Sequence, residues 1–171
     1  MQSEKNEGLP LAFAHYDSIK AIPIETIVSE INEGVSKQGA PIQIPFPIYN
    51  AADTLKYWIV NNEPARISVN LIYPNKAVWP TFFVKDNELV FVRHRMWIQE
   101  HPAYARERMI YLDGGKIVYC EERSMDLNQG DVPAYIREIP FSICLDPEKE
   151  IKEDYERYWK SVQEFMSKNK K

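Results

Sequence analysis

Thr81-Phe-Phe-Val84, Leu89-Val-Phe-Val-Arg-His-Arg-Met-Trp-Ile98, Arg106-Glu-Arg-Met-Ile-Tyr-Leu112 and Lys116-Ile-Val-Tyr-Cys-Glu-Glu-Arg123 decide the fold, because they read as four successive short strands. Between them, Lys85-Asp-Asn-Glu88 and Asp113-Gly-Gly115 are tight-turn sequences, since Asp, Asn and Gly tolerate the positive φ that hairpin turns demand. An antiparallel meander running to Met125 follows. It carries no nucleophile motif, metal cluster or phosphate loop.

Upstream, Leu55-Lys-Tyr-Trp-Ile-Val60 and Arg66-Ile-Ser-Val-Asn-Leu-Ile-Tyr73 form another hairpin candidate across Asn61-Asn-Glu-Pro64. Ile67, Val69, Leu71 and Tyr73 share one side of the second member, while Arg66, Ser68 and Asn70 share the other. The first member has a rival reading, with Asp53 capping a short helix from Thr54. Pro41-Ile-Gln-Ile-Pro-Phe-Pro47-Ile-Tyr reads as an edge strand or a polyproline-like cover with Ile42, Ile44, Phe46 and Ile48 inward, since each proline removes a ladder donor.

Two amphipathic helices flank the strands. Ile24, Ile27, Val28, Ile31 and Val35 recur at spacings of three and four, with Pro23 in the first turn and an end near Gly39. Asp146-Pro147-Glu148 opens the second, which carries Ile151, Tyr155, Tyr158, Trp159, Val162, Phe165 and Met166 on one stripe. Between the meander and this helix, Asp131 to Ile143 reads as a proline-punctuated strand or loop. The expected architecture is α+β: a sheet of about five to seven antiparallel strands whose apolar face is covered by both helices.

At 171 residues and 44% apolar, the chain is long enough for one sizeable core, so we divide it into a polar tether at 1–8 and one domain over 9–171. A net charge of −4 removes the general electrostatic reason to expect nucleic acid as a partner. No apolar run approaches the ~18 residues a membrane helix needs. Twelve prolines against six glycines imply ordered connections.

Cys120 and Cys144 are the two cysteines, in neither a CxxC pair nor a zinc spacing. They read either as two buried thiols or as one bridge, and the bridge requires an oxidising compartment. Met1 leads into the polar Gln2–Glu7, which fits a cytoplasmic protein or an extracytoplasmic domain whose leader has been removed. The second history is favoured.

The chemistry-bearing constellation surrounds the third hairpin. Arg93 and Arg95 share one face of their strand, and Arg106 and Arg108 share a face of the next. Antiparallel pairing is expected to gather the four guanidinium groups beside Trp97 and Tyr104, making a site for a carboxylate, phosphate or sulfated sugar. Glu107, Glu121 and Glu122 are available to neutralise it. His94 lies on the opposite strand face and His101 precedes Pro102, so no metal first shell forms with Glu100. Cys120 sits beside two glutamates, which raise rather than lower a thiol pKa. No catalytic residue, metal or cofactor is assigned.

Ile110-Tyr-Leu-Asp-Gly-Gly-Lys-Ile-Val-Tyr119, a polar interval and a capped final helix together resemble the closing half of small bacterial secreted or lipid-anchored proteins with a curled antiparallel sheet. The resemblance implies fold and location, and carries over no residue. The leading expectation is therefore a noncatalytic, extracytoplasmic binding or interaction module whose partner is another protein or an anionic small molecule or glycan. Its rivals are a cytoplasmic inhibitor of the immunity type, and a small hydrolase or isomerase using carboxylates such as Asp126, Asp131 or Glu138.

Overall fold

A computed structural model of the chain describes residues 17–45, 53–99, 104–126, 136–144 and 150–169. A 3-10 turn at Ser18–Lys20 leads into α1 (Ala21–Gln38). The strands are β1 (Ile42–Pro45), β2 (Thr54–Val60), β3 (Glu63–Ile72), β4 (Lys76–Lys85), β5 (Glu88–Ile98), β6 (Tyr104–Asp113), β7 (Lys116–Asp126) and β8 (Ser142–Ile143). A 3-10 turn at Ile136–Glu138 precedes β8, and α2 (Glu150–Lys168) follows it. All eight strands form one sheet in sequence order, each antiparallel to the next.

The meander thus exists and is longer than the five to seven strands expected, because both proline-rich flanks supply edge strands. Ile42–Pro45 pairs with β2, and Ser142–Ile143 pairs with Glu121 and Glu122 of β7. Thr54–Val60 is a strand, and Asp53 is buried rather than heading a helix. The expected tether at 1–8, the remainder of the proline segment at 46–49 and the capping residues Asp146-Pro147-Glu148 lie outside the described residues.

Three hairpins repeat one geometry. Asn61-Asn62, Asp86-Asn87 and Gly114-Gly115 all have positive φ at both turn positions, which matches the right-handed twist of the strands they join. Close to each turn the register slips by one residue, between Trp58 and Ile59, Phe83 and Val84, and Tyr111 and Leu112. The skipped residues are Ala65, Val90 and Val118. All three pack in the cluster that contains the buried face of α1. Bulges sharpen local twist, so the three curl the sheet where that helix lies.

The helices contribute to different cores. Ala21, Ile24, Ile31 and Val35 of α1 cluster with Ala65, Phe83, Phe91 and Tyr111. Ile151, Tyr155, Tyr158 and Val162 of α2 cluster with Phe82, Val92, Ile110 and Cys120, and the Phe82 ring lies 5.5 Å from Tyr155 and 5.7 Å from Tyr158. Neighbouring residues of a strand point to opposite faces, so Phe82 and Phe83 assign α2 to one side and α1 to the other. This corrects the expectation of a single apolar face beneath both helices. The physical reason is that β4 is apolar on both faces, reading Phe82-Phe83-Val84 with all three buried.

Helix α1 ends at Gly39, whose φ of 86° suits a residue without Cβ and whose N–H donates to the Val35 carbonyl at 3.2 Å. Gly34 sets how closely the helix approaches β2. A Cβ there would lie 2.6 Å from Cγ1 of Val60, a stiff β-branched side chain. Gly34→Ala is therefore expected to destabilise by about 1–3 kcal/mol, although alanine is intrinsically the better helix former by ~1 kcal/mol. A urea midpoint at or above that of the parent would show that α1 docks with slack.

Candidate functional site

The ladder decides which arginines meet. Arg95 of β5 pairs with Glu107 of β6, which pairs with Arg123 of β7. His94 pairs with Arg108, and Met96 with Arg106. Pleating therefore sends Arg93, Arg95, Trp97, Glu107 and Arg123 to the α1 side, and His94, Tyr104, Arg106 and Arg108 to the α2 side. The expected cluster of four guanidinium groups is split, with Arg93, Arg95 and Trp97 on one face and Tyr104, Arg106 and Arg108 on the other. Strand periodicity had shown each pair sharing a face of its own strand, but not whether the two faces coincide.

A different set of four converges on the α1 side. Glu107 is 2% exposed. Its Oε1 accepts from Arg93 Nε at 2.5 Å, and its Oε2 accepts from Arg123 Nε at 2.8 Å and Arg123 Nη2 at 2.6 Å. Burial raises the Glu107 pKa, but hydrogen bonds from Arg123 and Arg93 and the charges of both outweigh it and hold the carboxyl below its ordinary range. The arginines therefore favour the charged form of this carboxyl.

Arg66 of β3 completes the set. Its Nη1 donates to Oδ1 of Asn32 on α1 at 3.3 Å, and its guanidinium lies 4.6 Å from the centre of the Trp58 ring. Burial first, then Arg95 and Arg93, lower its pKa. For Arg95 the causes are burial and then Arg93, only partly offset by Glu107. Among the described residues Arg95 makes no direct ion pair. Glu107 thus bonds two guanidinium groups and attracts that of Arg95, while Arg66 stands in the field of Arg95 and Arg93, so the excess positive charge falls on Arg66 and Arg95.

Beside Arg95 runs a groove of about 330 Å³, lined by Trp79, Arg95, Trp97, Ala105, Glu107 and Ile136 among others. Trp79 pairs directly with Arg95, and Trp97 is 40% exposed. The far wall belongs to the segment before β8. It is tied to the cluster through Arg123, which donates to the Ile139 carbonyl at 3.3 Å and lies 4.3 Å from the Phe141 ring centre.

On the α2 side, Arg108 is buried and paired to Glu122 at 2.6 Å, whereas Glu121 lies on the α1 side and accepts from the hydroxyls of Tyr111 and Tyr119. Of the three glutamates expected to neutralise the arginines, Glu107 and Glu122 do so directly. Among the described residues no group of three or more His, Cys, Asp or Glu is placed to hold a metal. Of the carboxylates considered for hydrolysis, Asp126 ends β7, Glu138 is exposed in the second 3-10 turn and Asp131 lies outside the described residues.

Cys120 and Cys144 form a disulfide with their Cα atoms 5.3 Å apart, which settles the choice between two thiols and a bridge. Among the described residues no helix is long and apolar enough to cross a membrane. No protein-family model matches the chain, and neither a curated protein nor a solved structure shows significant similarity to it.

Proposed function

We propose that this chain is a noncatalytic binding module that holds an acidic saccharide on the α1 side of its sheet, across Arg93, Arg95 and the Trp79–Trp97 groove. The observation that carries the reading is the imbalance of charge: Arg66, Arg93, Arg95 and Arg123 gather on one face, where the buried carboxylate of Glu107 bonds Arg93 and Arg123 alone. Planar guanidinium groups take carboxylate and sulfate oxygens two at a time, and indole rings offer flat apolar area at small entropic cost. Placing this module outside the cytoplasm is supported by the bridge, because such bonds persist where the surroundings oxidise.

Calorimetric titration with a sulfated or uronate-containing oligosaccharide tests the reading. Arg95→Ala is expected to weaken binding about tenfold to a hundredfold, the range for a hydrogen bond to a charged group, and added salt weakens it further. Trp97→Ala reduces affinity without changing the salt response. His94→Gln, on the opposite face and outside the groove, leaves it unchanged. Absence of binding, or binding indifferent to both Arg95→Ala and Trp97→Ala, refutes the assignment.

A further inference from the structure

The groove beside Arg95 opens onto a wider surface. Helix α1 packs on the row of its side nearest the hairpin turns, where Phe83, Phe91 and Tyr111 are buried. Two residues further along each strand, pairing sets Gln43, Lys56, Ser68, Thr81 and Arg93 in one line across β1–β5, and every member is polar. The following line includes Asn70, Trp79 and Arg95, and the one after it Ile72, Ala77 and Trp97. Of these, Lys56, Asn70, Ile72, Arg95 and Trp97 are exposed.

A solvated face is ordinary for an antiparallel sheet, but this one separates its charges. Among the described residues, no carboxylate stands on β1–β5 in any of the three lines. The acids of the α1 side lie elsewhere. Glu25 of α1 and Glu121 of β7 both accept from the Tyr111 hydroxyl, at 3.3 and 3.5 Å. Glu138 belongs to the 3-10 turn packed on β6 and β7, and Glu107 is bonded to Arg93 and Arg123. Glu33 bonds Lys37, while Glu30, Glu63 and Asp86 line a separate space at the hairpin turns. Net positive charge therefore extends from Arg95 to Lys56. The two stand three strands and one pleat apart, roughly 16 Å at ~4.8 Å per strand and ~3.4 Å per residue.

We infer that the ligand of this face is a linear polyanionic saccharide lying across the strands, from the groove at Trp97 and Arg95 over Asn70 to Lys56. The inference rests on the acidic-saccharide reading and extends it from a single docked sugar to a chain. No one sugar ring touches both Arg95 and Lys56, so their joint use requires a ligand with anionic groups on separate residues. The acids at the β6–β7 end repel such a chain and set the direction in which it leaves the groove.

Calorimetric titration with heparin-derived oligosaccharides of two, four, six and eight sugars is the test. Affinity should rise with length and then level off once the chain reaches Lys56. Lys56→Ala is expected to weaken the six- and eight-sugar ligands about twofold to fivefold, the range of an exposed ion pair, and to leave the disaccharide unchanged, whereas Arg95→Ala weakens every length. Asn70→Ala should follow the pattern of Lys56→Ala. Binding that depends on Arg95 but is the same for all lengths and indifferent to both Lys56→Ala and Asn70→Ala overturns the inference and leaves the groove reading standing. Absence of binding at every length, or binding indifferent to Arg95→Ala and Trp97→Ala, takes both down. Equal affinity for polyglutamate of matched charge overturns the choice of a saccharide chain.

Discussion

Glu107→Ala is expected to lower the free energy of unfolding by about 3–5 kcal/mol, the cost of removing one partner from a buried ion pair. That is a large share of the ~5–15 kcal/mol that holds a typical domain together. The loss has two parts. Four hydrogen bonds and ion contacts to Arg93 and Arg123 disappear, and both cations are left facing each other on one side of the sheet. Arg123 cannot escape to water, because its side chain is only 11% exposed, whereas Arg93 is 45% exposed and recovers part of its hydration. Removal of Arg93 should therefore cost less than removal of Glu107. Urea denaturation measures the difference, and a loss below about 1 kcal/mol, the range of a surface pair, would show that Glu107 does not organise the cluster.

Stability should also fall with acidity. The folded-state pKa of Glu107 lies below its ordinary value, so its contribution is present in full above the unfolded carboxylate range near 4.3. It is lost as pH falls through the lower folded value. Glu107→Gln keeps the shape and removes the charge, so its denaturation midpoint should depend less steeply on pH across that acid interval. An unchanged slope would assign the acid sensitivity to other carboxyls. Neither substitution removes a cation from the α1 side, so saccharide affinity should be maintained or increased in whatever fraction remains folded. Stability and recognition thereby separate experimentally.

The sheet was readable because its local signals agree. Asp86-Asn87 and Gly114-Gly115 demand hairpins, and the runs beside them alternate. Helix α1 was readable from the spacing of Ile24, Ile31 and Val35, and α2 from Ile151, Tyr155, Tyr158 and Val162. The site was not readable, for a reason of one residue. Extending the two-residue turn at Gly114-Gly115 without interruption would set Glu107 opposite Glu122. The slip at Val118 sets it opposite Arg123 instead and moves Glu122 to Arg108. A one-residue shift exchanges faces along the whole strand, and no feature of the Lys116–Tyr119 sequence announces it. Arg66 was equally hidden, since the Arg93 and Arg95 charges that act on it come from a strand about thirty residues away. The strand read from Thr81 begins at Lys76, since the sheet accommodates Pro80 although that residue has no N–H to give.

Replacing Cys120 and Cys144 together by Ala, or reducing the bridge, is expected to cost about 3 kcal/mol, the chain-entropy figure for a loop of this size, since 24 positions separate the cysteines. The loss should be felt locally first. Strand β8 is two residues long, both exposed, and holds to β7 through two residue pairs and the Cys144 N–H donating to the Cys120 carbonyl at 3.1 Å. So short an edge strand lacks the buried area to stay docked without its staple. When it leaves, residues 136–144 are freed, so Ile136 ceases to wall the groove beside Arg95 and Ile139 and Phe141 cease to steady Arg123. Amide exchange should accordingly quicken at Cys144 before it quickens in β4 or β5, and saccharide affinity should drop at reductant levels that leave the rest of the sheet folded. If exchange at Cys144 and the urea midpoint are the same with the bridge intact and reduced, β8 is held by its backbone alone. In that event the connection drawn between the bridge and the arginine–tryptophan groove fails.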